Sequence, residues 1–188
     1  MNESDMQRKI WHWLERLVVG EGLCPFAAQP LHNGLIRLAM CPAEDDQAVY
    51  RFALQEIEQL VLSDPSELET TLIETPKALE SFDDYLESLT DLEQALQDLQ
   101  LDTVLQIASF HPDYLFDGED ADDVSHYSNR APCPLFHLIR QDSLTQALQH
   151  YPDPAAIPLR NQQHLRDLGL QGLHRLLGDA FPHSADDG

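Results

Sequence analysis

Near the start of the chain, apolar residues recur at helical spacing: Ile10, Trp11, Trp13, Leu14, Leu17 and Val18. This predicts an amphipathic helix. Ser4 and Gln7 fit a capping box at its start, and Gly20 is placed to end it. From Gly22 to Asn33 the period is lost, and Pro25, Pro30 and Asn33-Gly34 punctuate what reads as a loop. Leu35 to Met40 reads as a first strand. Val49, Phe52, Ala53, Ile57, Leu60 and Val61 return to helical spacing, and Asp64-Pro65 stops that helix. Thr70 to Glu74 is a short β-branched strand. A long amphipathic helix follows through Leu79, Phe82, Leu86, Leu89, Leu92, Leu96 and Leu99. A third strand runs from Thr103 to Phe110.

Strand, helix, strand, helix, strand predicts an α/β fold. Helical crossovers join parallel neighbours. The expected architecture is a small, mainly parallel sheet of three or more strands with crossover helices and additional N- and C-terminal helices. Arg37 and Gln106 interrupt the apolar runs of their strands, so one sheet face needs further cover, which the terminal helices would supply. Beyond Arg130 we expect a short helix at Leu135–Ile139, another at Ser143–His150, a proline-rich joint at Tyr151–Pro158 and a last helix at Pro158–Leu177. Residues 1–181 read as one domain, and Pro182–Gly188 as a flexible tail.

Each strand is followed by a residue-proline pair: Cys41-Pro42, Thr75-Pro76 and His111-Pro112. Open α/β sheets bind ligands at the carboxyl ends of their strands. That rim is therefore the expected site.

The net charge of −22 changes the picture of partners. Nucleic-acid binding needs a basic footprint, which is lacking, and anionic membranes would repel the chain. No apolar run approaches the ~18 residues of a membrane span. The start of the chain lacks the charged and apolar regions of a signal peptide. The three cysteines show no pairing pattern, so a reducing cytoplasm is the expected home.

The chemistry concentrates between His111 and Arg140. His111 stands at a strand end, where a histidine could act as a base or metal ligand, or could simply bond a loop carbonyl. Asp113, Asp117, Glu119, Asp120, Asp122 and Asp123 follow. Such carboxylates bind divalent cations or form a solvated acidic loop; their spacing is not an EF-hand. Asp113 and Asp123 lie nearest a histidine in sequence, so a divalent metal held by His111, Asp113 and Asp123 is the cofactor this stretch suggests. From Ala78 through Asn129 there is no Lys or Arg. Arg130 and Arg140 then appear with Asn129 and His137, a set that could hold an anionic small molecule or else pair with the acidic run. Cys24 is the thiol candidate for a nucleophile, with a small buried hydrophobe as the alternative. Cys24, His111 and His137 could form a zinc site, but no pair of them has zinc-finger spacing. The two tryptophans fit core packing or a partner surface. Phosphate-loop, dinucleotide-binding and serine-hydrolase motifs are missing from the sequence.

Several words along the chain occur in a specific order: Leu23-Cys24-Pro25-Phe26-Ala27, Glu69-Thr70-Thr71-Leu72, Phe82–Tyr85, Gln106–Tyr114 with Phe116, Ser128-Asn129-Arg130 with Pro132, and Pro134–Arg140 with Ser143. In these the chain resembles the bacterial family catalogued as domain of unknown function 1415, over roughly residues 10–150. The family pattern often has histidine where Thr75 stands and usually asparagine where His126 stands. The resemblance brings no activity with it. The residues themselves lead us to expect a small-molecule enzyme, a hydrolase or group transferase. His111, Asp113 and Cys24 would be its catalytic residues, and Asn129, Arg130, His137 and Arg140 would hold the substrate. A non-catalytic ligand-binding or interaction module is the alternative.

Overall fold

The computed structural model describes residues 3–149, 151 and 153–181, with side chains from Asp5 onward. The Ser4 cap and the tail at 182–188 lie outside the described residues. So does His150, at the expected end of the Ser143 helix.

The first helix begins as α1 (Glu3–Trp13) and continues through a wider π-helical turn, Leu14–Val19. Gly20 does not end it in a left-handed conformation, as the sequence suggested. Its backbone is still right-handed, and a Cβ there would sit 2.3 Å from the Arg16 carbonyl oxygen. The left-handed residue is Gly22, at φ 66°. The expected loop from Gly22 to Asn33 contains a short helix, α2 (Ala28–Asn33), closed by Gly34 at φ 68°. Pro30 falls in its first turn, where a missing N–H costs nothing.

Next come β1 (Ile36–Met40), α3 (Asp46–Leu62), β2 (Thr70–Glu74), α4 (Phe82–Asp98) and β3 (Leu105–Phe110). Asp45 caps α3 through the Ala48 N–H, and Ser81 caps α4 through the Asp84 N–H. Beyond β3 the chain takes a loop with a 3₁₀ turn (Val124–Ser128) into β4 (Leu135–Arg140). The last helices are α5 (Gln141–Leu148) and α6 (Ile157–Leu177), the latter broken at Gly169.

The expected short helix at Leu135–Ile139 is therefore a strand. That changes the sheet: it is mixed, not mainly parallel, in the order β1-β2-β4-β3. β1 and β2 pair in parallel. β4 lies between β2 and β3 and runs antiparallel to both. All six β4 residues are buried. A strand covered on both faces shows no polar alternation, so its short apolar run is indistinguishable from a helix by pattern alone.

The sheet is sandwiched between helices. On one face Ile73, Leu105, Phe136 and Leu138 pack with Val49, Ala53 and Ile57 of α3 and Tyr85, Leu92 and Leu96 of α4. On the other, Leu72 and Leu135 pack with Ile10, Trp13 and Leu17 of the first helix and Leu165 and Leu173 of α6. The terminal helices thus cover the second face. Arg37, which broke the β1 pattern, makes a two-pronged pair with the buried Glu56 of α3, at 2.7 and 3.0 Å.

Pro42, Pro76, Pro112 and Pro134 stand at one rim, after β1, β2 and β3 and just before β4. Lacking an N–H, each fits where the ladder stops. Tyr85, fully buried, ties this rim to α4. Its hydroxyl donates to the Leu135 carbonyl at 2.7 Å and accepts the Phe110 N–H at 3.0 Å. Tyr85→Phe removes both bonds and should destabilise the fold by about 2 kcal/mol in urea titration. Unchanged stability would mean that the bridge contributes nothing.

Candidate functional site

At the proline rim several polar residues of the β3–β4 loop hold the loop and tie it to its surroundings. His111 is fully buried. Its Nδ1 accepts the Asp113 N–H at 3.0 Å, so Nε2 carries the proton and donates to the Leu79 carbonyl, also at 3.0 Å. Leu79 is a buried non-glycine residue at φ 61°, and this bond helps hold its strained turn. Burial pushes the His111 pKa down, which disfavours an imidazolium there. His126 works the same way. Its Nδ1 accepts the Phe116 N–H and its Nε2 donates to the Asp120 carbonyl.

The metal set expected from sequence does not converge. Asp123 caps the 3₁₀ turn through the Ser125 N–H and receives Nε of Arg166, which also reaches Glu119 at 2.7 Å. Hydrogen bonds from Ser125, then Arg166, lower the Asp123 pKa to about 2. Among the described residues no three His, Cys, Asp or Glu side chains gather to hold an ion.

The expected anion-binding residues separate. The Asn129 amide donates to the Ser109 carbonyl, and its own carbonyl receives the His111 N–H. Arg130 donates to the Tyr114 carbonyl and lies 4.9 Å from the centre of the Tyr127 ring, while its backbone oxygen accepts the Trp13 indole N–H. Trp13 is thus a core residue. His137, in the middle of β4, approaches Thr70 Oγ1 at 2.7 Å. The Thr70 hydroxyl is committed to the Leu138 carbonyl, so His137 donates and is neutral. Burial lowers its pKa to about 4.

Cys24 has a pocket of its own, about 300 Å³, with Phe110, Phe116 and Asn129 among its walls. Burial raises the Cys24 pKa, opposed in part by the backbone N–H groups of Phe26 and Ala27. A thiol held protonated is a poor nucleophile. Cys133 is shifted well upward by burial first and the Glu74 carboxylate second.

Arg140 stands at the opposite rim. Its Nη2 donates to the carbonyls of Leu60, Ser63 and Leu68, at 2.6, 2.9 and 3.1 Å. α3 carries no basic residue in its last turn, and Arg140 supplies the charge that its carboxyl end favours. Arg140 makes no ion pair among the described residues. Exposed Asp64 senses its charge without pairing with it. Arg140 also lines a cleft of about 920 Å³, between the Pro25–Pro30 segment on one side and α5 on the other. The floor is formed by Leu35, Glu69 and Val104, where β1, β2 and β3 begin, and Asp142, Ser143 and Gln146 come from α5. The sequence pointed only to Arg140 here. Pro25, Phe26, Glu69 and Ser143 stood within the words of the resemblance, but nothing in their chemistry set them apart.

A mixed four-stranded sheet between two helical layers, with a polar-and-apolar cleft at one rim, defines an α/β protein. The chain belongs to the family described as Protein of unknown function (DUF1415), whose model matches residues 5–175. No curated protein and no solved structure matches it. No helix among the described residues is long and apolar enough to cross a membrane.

His137 gives this geometry a pH signature. An ordinary histidine titrates at about 6.5, and this one at about 4. As pH falls between those values the unfolded chain takes up a proton that the folded chain refuses. Stability therefore declines through this window and the contribution levels off below it. Wild type should lose about 3 kcal/mol more than His137→Leu between about pH 7 and pH 4 in urea titrations. Equal losses would show that His137 does not titrate this way.

Proposed function

We propose that the protein binds a small molecule bearing a carboxylate or phosphate in the Arg140 cleft, and that it acts as a binding protein. One observation carries this: Arg140, a buried cation without a carboxylate partner among the described residues of a chain of net charge −22, lines a cleft of about 920 Å³. Small-molecule sites span roughly 300–1,000 Å³ and mix apolar walls with a few polar groups. Phe26, Pro30 and Leu35 provide such walls here.

Catalysis at the proline rim has less support. His111 has no free ring nitrogen until its turn opens. In the cleft, Ser143 has no hydrogen-bonded base beside it among the described residues, so the activated nucleophile of a hydrolase is missing. The acidic composition speaks against nucleic acid as the ligand. Three cysteines free of disulfides suit a reducing cytoplasm.

The test is ligand-observed NMR with a pool of small carboxylates and phosphates, on wild type and Ala147→Trp. Ala147 lines the cleft on α5, a helix with no buried residues, so the indole should fill the space without unfolding the chain. Anion signals should appear with wild type and vanish with the variant, at unchanged circular dichroism. Binding to both proteins alike, or to neither, would sink the proposal.

A further inference from the structure

The cleft carries a second charge that the anion reading leaves unused. Glu69, half-buried just before β2, lines it and makes no ion pair or side-chain hydrogen bond among the described residues. Asp142 adds another carboxylate at the start of α5. Arg140 and Glu69 therefore line one cleft without pairing, because the Arg140 Nη2 is drawn to three carbonyls at and beyond the end of α3. Opposite charges held apart in this way complement a ligand that carries both. Gln29, Gln146 and Gln149 also line the cleft, each with an amide that can donate and accept, as a peptide group requires. Phe26 and Val104 offer apolar surface for a side chain.

We infer that the ligand is a short peptide with free termini, its carboxylate at Arg140 and its ammonium group at Glu69. This rests on the anion reading above and adds the second charge to it.

Protein-observed NMR with a pool of free dipeptides, each carrying one apolar residue, tests it. The tightest binder is then compared with its N-acetyl derivative and its C-terminal amide. The free dipeptide should shift resonances of α5 and of Glu69, and each blocked form should bind about tenfold more weakly or worse. Glu69→Gln should weaken the free dipeptide by a similar factor and leave the N-acetyl form unchanged. If the N-acetyl form binds as well as the free dipeptide, the peptide inference fails while the anion reading stands. Equal binding of the amide would overturn both. No dipeptide binding, with small anions still bound, overturns the inference alone. Arg140→Ala removes part of the α3 cap and risks the fold, so the decision rests on Glu69→Gln and the blocked ligands.

Discussion

β4 is buried from end to end, yet it carries a histidine and an arginine, and the packing around it answers most of their hydrogen-bonding needs, leaving the Arg140 Nε without a partner among the described residues. Both neighbouring strands pair with it, and both helical layers rest on its side chains. Burying a polar group without a partner costs heavily. His137 meets that demand by staying neutral and donating to Thr70 on the adjacent strand. Arg140 cannot become neutral, so its charge is set against three carbonyls at and beyond the end of α3. This fixes where α3 ends relative to the sheet. It also leaves the cation beside the cleft, unpaired with any carboxylate among the described residues. All three bonds come from the single nitrogen Nη2, and the buried Nε has no partner among the described residues.

The same logic explains the loop between β3 and β4. A long connection over the edge of a sheet must satisfy its own backbone. Two histidines, an asparagine and a capping aspartate do so by bonding main-chain groups, and Arg166 reaches over from α6 to hold the acidic run. Dense polarity here is the chemistry of an ordered turn. His111, His126, Asn129 and Asp123, which look catalytic in a row of letters, use their hydrogen bonds to hold the chain.

Much of the fold was legible because its signals were local. The spacing of apolar residues marked the first helix, α3, α4 and the body of α6, and the prolines marked one rim of the sheet. β4 was hidden because a strand buried on both faces loses its alternation, and with it the mixed topology was hidden too. The site was less legible still. Arg140 was visible as one of two cations that follow a long stretch without any, but it was grouped with Asn129, Arg130 and His137, and the strand carries it away from Asn129 and Arg130 to the other rim. β4 carries the chain from one rim to the other, so residues at its two ends serve opposite sides. Glu69 is one carboxylate in an acidic chain. Only its place beside Arg140's cleft distinguishes it, and no spacing rule encodes that.

The overall charge also bears on what such a cleft can hold. A surface of net charge −22 lowers the local concentration of any anion that approaches it. That penalty is long-ranged and is screened over about 8 Å at physiological salt. It therefore acts on encounter more than on the bound state. A doubly charged phosphate would meet it in full. A molecule with one charge of each sign meets almost none of it, and still offers a carboxylate to Arg140 at close range, where screening is weak. Glu69 and Asp142 would weaken, without cancelling, the hold of Arg140 on a simple anion, and would attract the other end of a zwitterion. The long-range field and the local lining thus favour the same ligand, one without net charge.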